Sequence, residues 1–424
     1  MSNIDELVEK LREDTQEHFR EQKSEFIPGE TPVRLSEPTF GAEEVAEAME
    51  SLLSTWVTMG EKVERFEKQW AEYVGTDHAV MVNSGSSANL LALQALQGTV
   101  IEEGDEVIVP AVSWSTSIFP ILDAGATPVL VDVSRDTYNI DIDAFSAAVT
   151  EDTAAVVLVH LLGNPCDMDL ILDICKEHDI AIIEDCCESP GASYNGRKVG
   201  TFGEMGTFSF FFSHHISTIE GGMVVTDTDE YARRLRMARA HGWIRDIQES
   251  DKDRYRSEHP DIDERFLFAT KGYNLRPTEI QGAFGIHQIR KLDKFLSIRR
   301  KTATYLNEKL NNCNEHIRLL EERDGTRCAW FAYPIVVREA APFDREELQK
   351  HLEECQIETR PILAGNLARQ PAMANIDHRV QGDLNGANDL HDNGLFIGNH
   401  HLIDHDVRRY LVDCIEKFVV EKSA

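Results

Sequence analysis

No stretch of this 424-residue chain comes near the ~18–20 consecutive apolar residues that span a bilayer. The longest apolar run, residues 154–163, reads as a buried strand. Residues 1–30 are acidic and hold no apolar stretch of signal-peptide type, which points to a cytoplasmic chain. Eight cysteines are present, but none forms a C-x-x-C pair, so zinc and iron–sulfur spacings are missing. In a reducing compartment such thiols are expected to be buried. There is no internal repeat and no low-complexity segment. Positive charge is short: 43 Lys and Arg face 74 Asp and Glu, a net charge of −31. A field of that sign repels phosphate backbones and anionic membranes, so neither nucleic acid nor membrane is expected as a partner. Lysine is the scarcer cation, with 15 residues against 28 arginines. Dispersed acid with few lysines suits a protein in concentrated salt, which screens self-repulsion. It equally suits a soluble mesophilic enzyme at the acidic end of the ordinary range.

What is present allows a large core. Apolar residues make up 42% of the chain, and its length suits two or three domains. Ile4, Leu7, Val8, Leu11 and Phe19 predict a short polar helix over 3–24, followed by a Pro- and Gly-containing linker over 27–38. Helices are expected over 41–53 and 60–74. From residue 79, apolar runs at 79–82, 107–109, 128–133, 155–160, 181–184, 208–212 and 223–226 alternate with helical stretches. This is the alternation of an α/β fold with a mainly parallel sheet, helices covering both faces. A long helix over 285–312, a strand over 329–337 and helices over 344–355 and 406–420 then make a smaller α/β unit.

Three constellations carry chemistry. Asn83-Ser84-Gly85-Ser86-Ser87-Ala88-Asn89 follows a strand and opens a helix. Small hydroxyl residues and a glycine there can cradle a phosphate on backbone N–H groups, or can simply cap the helix. Ile182-Ile183-Glu184-Asp185 ends a buried strand, where a carboxylate can pair with a ligand cation or serve as an ordinary turn acid. Ser209-Phe210-Phe211-Phe212-Ser213-His214-His215 leads to Glu220-Gly221-Gly222-Met223. Two adjacent histidines do not easily chelate one metal, so no metal site is expected.

Taken in order, these motifs resemble the fold-type-I, pyridoxal-phosphate-dependent sugar aminotransferases of the DegT/DnrJ/EryC1/StrS family, from about residue 35 to 420. Family members carry S-F-x-x-x-K-N-x-x-x-x-E-G-G, whose lysine forms the Schiff base with the cofactor. This chain has Ser209-Phe210-x-x-x-His214-His215-x-x-x-x-Glu220-Gly221-Gly222. Histidine forms no stable imine. The departure therefore implies a cofactor held non-covalently as pyridoxal or pyridoxamine phosphate, with His214 as catalytic base. The same replacement marks the nucleotide-sugar 3-dehydratases, which remove the C3 hydroxyl of a 4-keto-6-deoxyhexose. Segments 111–116, 239–243, 272–277 and 395–400 look like the branch that acts on GDP-4-keto-6-deoxymannose. A second histidine-bearing branch, acting on CDP sugars, holds an iron–sulfur cluster in a Cys-rich insertion. Residues 244–268 contain no cysteine here, so no such cluster is expected, although the N-terminal helix resembles that branch's leader.

The resemblance implies further roles. Ser84, Gly85, Ser86 and Ser209 would hold the cofactor phosphate. Trp114 would stack on the pyridine ring, its other reading being a core tryptophan. Asp185 would pair with the ring nitrogen, and Glu188 would lie near O3′. Asn274 would reach the phosphate of the neighbouring subunit, because family sites lie at a homodimer interface. Glutamate would be the amino donor, and the product would feed deoxysugar, lipopolysaccharide or other polysaccharide synthesis. Expected domains are an N-terminal helix and linker (1–34), a large cofactor-binding α/β domain (35–288) and a smaller α/β domain (289–424). A family aminotransferase recruiting another lysine, with Lys198 and Lys271 nearest, and a non-catalytic relative are the alternatives. His400 and His401 either line the sugar site or form a helix-entry surface.

Overall fold

The computed structural model describes residues 3–21 and 25–423. Helix α1 (Asn3–Glu21) matches the expected N-terminal helix, whose last turn, 22–24, lies outside the described residues. Next come α2 (Ala42–Leu53), α3 (Glu61–Val74) and α4 (Gly85–Leu96). The strands are β1 (His78–Val82), β2 (Glu106–Pro110), β3 (Thr127–Val131), β4 (Thr153–Val159), β5 (Ala181–Asp185), β6 (Met205–Ser209) and β7 (Gly222–Thr226). They continue as β8 (Ile317–Leu319), β9 (Tyr333–Val337), β10 (Thr359–Pro361), β11 (Arg379–Val380) and β12 (Gly394–Ile397).

The large sheet runs β1-β7-β6-β5-β4-β2-β3-β11. It is parallel from β6 to β11, while β7 is antiparallel to both neighbours. Both faces are buried, as its near-continuous Val and Ile runs require. Val107 and Val109 of β2 pack with Leu91 and Leu96 of α4, while Ile108 packs with Phe145 and Val156 on the other face. A long helix, Glu279–Leu310, starts from a Thr278–Gln281 capping box and continues unbroken through residues 288 and 289. Its Gly282 and Gly285 let α3 approach: a Cβ there would lie 2.5 Å from Val63 N and 2.4 Å from the Phe66 ring. The smaller antiparallel sheet, β8-β9-β12-β10, lies C-terminal to this helix, yet β11 returns to the edge of the large sheet.

Two strands differ from expectation. The run at 208–212 stops at Ser209, the last residue paired with β7, and Phe211 and Phe212 are exposed on the loop beyond. The run at 329–337 becomes a strand only at Tyr333. Ala329 N–H and Phe331 N–H donate instead to Gly163 O and Leu162 O, in the turn after β4. The linker is fastened to the small unit, Val33 N–H donating to Gln356 O and Glu358 N–H to Val33 O. All eight cysteines are free thiols; six are buried, and Cys187 and Cys355 half-buried. Among the described residues no helix is long and apolar enough to cross a membrane.

Candidate active site

Open α/β sheets gather ligands at the carboxyl ends of their parallel strands. Here β5 ends in Glu184-Asp185, its neighbour β6 ends at Ser209, and β1 leads through Ser84 into α4. Ser84 caps α4: its Oγ accepts from Ser87 N–H at 3.1 Å, and Ser87 Oγ donates to Asn83 Oδ1 at 2.6 Å. The cap does not exclude an anion, because the first-turn N–H groups of Gly85 and Ser86 have no intrahelical acceptor. Ser86 is exposed. Gly85 is required by close approach, since a Cβ would sit 2.6 Å from Ser209 Cβ and 3.1 Å from Cys187 Sγ.

Asp185 is 6% exposed. Its Oδ2 accepts from Asn89 Nδ2 at 2.7 Å and Ser117 Oγ at 2.9 Å, and its Oδ1 accepts from Cys187 N–H at 3.1 Å. All three donors are neutral, and among the described residues no Lys, Arg or His forms an ion pair with it. Such a buried carboxylate has its hydrogen-bond donors but, among the described residues, no counter-cation. Glu184, one residue earlier, is different. It accepts the N–H groups of Gly200, Phe202 and Gly203 and bonds His160 Nε2 at 3.1 Å, fastening the loop before β6. His160, Glu184 and Cys186 together are metal-ligand residue types. However, His160 Nδ1 already accepts from Cys166 N–H, so its Nε2–H donates to Glu184.

His214 stands beyond β6, in the loop that returns to β7. Its Nδ1 lies 2.7 Å from the Cys187 carbonyl, and its ring lies 5.1 Å from the Phe331 ring. A carbonyl only accepts, so Nδ1 carries the proton and Nε2 keeps the lone pair. Burial pushes the imidazole down to about 4, partly opposed by the Cys187 carbonyl and Asp185, so it is neutral near pH 7. His215, whose ring also lies 5.9 Å from that of Phe331, has a different partner: it is buried, bonded to Ala329 O at 2.9 Å, and held well below the usual histidine range by burial. Glu188 accepts from Leu162 N–H at 2.8 Å. Burial, reinforced by the Asp185 charge, pushes Glu188 up to about 8 although that N–H opposes the shift.

The structure thus brings together Gly85, Ser209, Cys187, His214, Asp185 and Glu188. Trp114 is 58% exposed, which removes its core reading; it lies three residues before Ser117, which holds Asp185. Asn274 is exposed and bonded to Arg276 Nε, apart from this cluster, though its neighbour Leu275 O accepts from Asn83 N–H. His400 is buried, and the His401 ring lies 4.4 Å from the Phe295 ring at a tilt of 39°. Burial, with Arg299 adding to the effect, pushes the two down to about 3 and about 4. Ser117, Thr207 and Phe331 belong to the site's support without standing out in the sequence, and Asn89, the last residue of the Ser- and Gly-rich motif, joins them in a role that motif did not show.

The family profile described as the DegT/DnrJ/EryC1/StrS aminotransferase family matches residues 38–416. The chain belongs to that family. A GDP-4-keto-6-deoxy-D-mannose 3-dehydratase of Yersinia pseudotuberculosis is 43% identical over 372 residues, 87% of this chain and 94% of the relative. A crystal structure of a GDP-4-keto-6-deoxymannose 3-dehydratase, a His-to-Asn variant with bound GDP-perosamine, matches with a TM-score of 0.85 at 39% identity. It covers 90% of this chain and 100% of that one. A second structure of such an enzyme holds a trapped PLP–glutamate geminal diamine, with a TM-score of 0.83 at 38% identity over 90% and 99% of the two chains. The fold is accordingly that of the PLP-dependent aminotransferases.

Proposed function

We propose that the chain is a pyridoxal/pyridoxamine-phosphate-dependent 3-dehydratase that removes the C3 hydroxyl of a GDP-4-keto-6-deoxymannose type of sugar nucleotide. One observation carries the reading: Asp185, buried with neutral donors only, lies beside an imidazole, His214, where the family places its Schiff-base lysine. The cradle suits a phosphorylated pyridine. A helix start pressed against Ser209 offers N–H groups to a phosphate, and Asp185 lacks the cation that a protonated ring nitrogen would supply.

When bound, such a cofactor supplies an electron sink next to the sugar's C4 carbon. Ser84, Gly85, Ser86 and Ser209 would hold its phosphate, Trp114 would cover a ring face, and Glu188 would lie near O3′. Asn274 would come from a second copy. With Nδ1–H committed to Cys187 O, His214 would take a proton on Nε2 and deliver it to the departing C3 oxygen, which leaves as water. Glutamate is the proposed amino donor, a reading supported by the glutamate adduct in a similar enzyme.

Both candidate substitute lysines are engaged elsewhere, which counts against the aminotransferase alternative. Lys198 Nζ bonds Tyr73 O and lies 3.6 Å over that ring, and Lys271 lies 5.8 Å from the Tyr273 ring. Exposed Trp56, Val57, Phe211, Phe212 and Ile219 support a homodimer with shared sites. The proposed setting is cytoplasmic supply of deoxysugars for lipopolysaccharide or another polysaccharide.

Borohydride reduction of the cofactor-loaded protein, followed by peptide mass spectrometry, tests the non-covalent reading. No pyridoxyl-lysine is expected; finding one overturns it. The net charge of −31 adds a salt test: anionic ligands must bind against the overall field, so activity is expected to rise from dilute to molar salt. Maximal activity in dilute buffer contradicts a high-salt origin.

A further inference from the structure

We propose that Asn89 and Thr207 are positioning residues that fix which oxygen of Asp185, and how much negative charge, is offered to a cationic ligand. The inference rests on the reading of Asp185 as partner of a cofactor ring nitrogen.

The argument begins at Thr207, on β6 one strand away from Asp185. Its hydroxyl has a single proton, and it lies 2.5 Å from Asn89 Oδ1 and 3.4 Å from Glu184 O. Donation to Oδ1 fixes the Asn89 amide with its nitrogen toward Asp185 Oδ2 at 2.7 Å and Thr116 O at 3.2 Å. Flipping the amide would set its oxygen against these two acceptors. Ser117 Oγ adds a second bond to the same Oδ2, so Oδ2 is saturated, while the one N–H that Oδ1 receives is that of Cys187, whose thiol also lies against the carboxylate. The room left for a ligand N–H is therefore at Oδ1, where it would displace at most a weak thiol donor. Asn89, Ser117, Thr207 and Asp185 are all buried, so these bonds act without competition from bulk water.

The neutrality of the donors matters as much as their aim. A lysine or arginine in place of Asn89 would also keep Asp185 ionised, but it would cancel the charge that a protonated pyridine needs. An amide braced by a hydroxyl stabilises the carboxylate and leaves its full charge for the ligand.

The test uses the intact protein with pyridoxamine phosphate labelled with ¹⁵N in the ring. Dissociation constants come from fluorescence titration, and the ring-nitrogen protonation state comes from its ¹⁵N chemical shift across pH. Wild type is expected to keep the ring nitrogen protonated to higher pH than the free cofactor. Asn89→Leu is expected to weaken binding about tenfold, the scale of one hydrogen bond to a charged group, and to release the ring proton at lower pH. Thr207→Val, nearly isosteric, should move both readouts in the same direction by less, and Thr207→Ser should restore them. If Asn89→Leu does not fold, Thr207→Val against Thr207→Ser decides. Folded variants with the wild-type constant and the wild-type ¹⁵N shift overturn the inference. A wild type that does not bind pyridoxamine phosphate, or binds it with an unprotonated ring nitrogen, overturns instead the reading of Asp185 beneath it.

Discussion

Three adjacent pairs of similar residues, Glu184/Asp185, Cys186/Cys187 and His214/His215, divide the same way between core and site. Glu184 staples three backbone N–H groups, Cys186 is buried beside His160, and His215 bonds Ala329 O. Their partners face the Ser84–Ser209 side: Asp185 has no counter-cation among the described residues, the Cys187 carbonyl holds His214, and His214 keeps Nε2 unprotonated. In β5 the split follows from the strand period of two, which sends consecutive side chains to opposite faces. In the histidine pair both rings flank Phe331, and the split lies in the carbonyl each one bonds, Cys187 O for His214 and Ala329 O for His215. Chemical type alone therefore does not mark a functional residue here. What marks it is a hydrogen-bonding capacity left open toward the Ser84–Ser209 side of the sheet; unfilled capacity alone is not enough, since His215 Nδ1 is buried without a partner.

The sharpest way to break this division is at the histidines. His214→Asn is expected to lower dehydration ~10²–10⁴-fold with cofactor binding and melting temperature nearly unchanged. His215→Asn should cost stability more than turnover. Equal losses of turnover from both, at unchanged melting temperature, would falsify the division. His214→Lys should abolish dehydration and give a cofactor Schiff base absorbing at longer wavelength.

The carboxylates give the next largest contrast. Glu184→Ala strands three backbone N–H groups, so chemical denaturation should show a loss of at least about 3 kcal/mol. Asp185→Asn should leave the denaturation midpoint near wild type while cofactor affinity falls. The reverse assignment, a stable Glu184 variant and an unfolded Asp185 variant, contradicts the account.

A smaller effect sharpens the comparison through pH. Glu188 is pushed up to about 8 from an ordinary value near 4.5, so the folded chain keeps a proton that the unfolded chain has released. That contribution to stability is complete below about 4.5 and lost as pH rises toward 8. His214 works in the opposite direction, its contribution being lost as pH falls from 6.5 toward about 4. Glu188→Gln should flatten the decline of melting temperature between about pH 4.5 and 8 while leaving the profile below 4.5 alone. An unchanged profile would show that Glu188 does not hold the proton.

Much of the site was legible because its chemistry is local in the chain. A Ser- and Gly-rich turn after a strand, an acid pair ending a strand, and a histidine in a lysine position each occupy a few consecutive residues. The alternation of apolar runs likewise exposed the parallel sheet. The support of Asp185 was not legible, because Asn89, Ser117 and Thr207 come from three separate elements and meet only through the sheet order. Phe331 reaches His214 from the C-terminal region for the same reason. Strand ends were misjudged where apolar residues serve another purpose: Phe211 and Phe212 extend the run of β6 in sequence but are exposed beyond it. Trp114 could have been a ring-stacking or a core residue, and only its exposure removes the core reading.

The most direct measurement is the mass of the product formed from GDP-4-keto-6-deoxymannose with pyridoxal phosphate and glutamate, in molar salt. The account predicts a sugar nucleotide that has lost the C3 oxygen and gained no nitrogen, a 3,6-dideoxy-4-keto product. A 4-amino product that retains the C3 oxygen would contradict it and make the chain an aminotransferase.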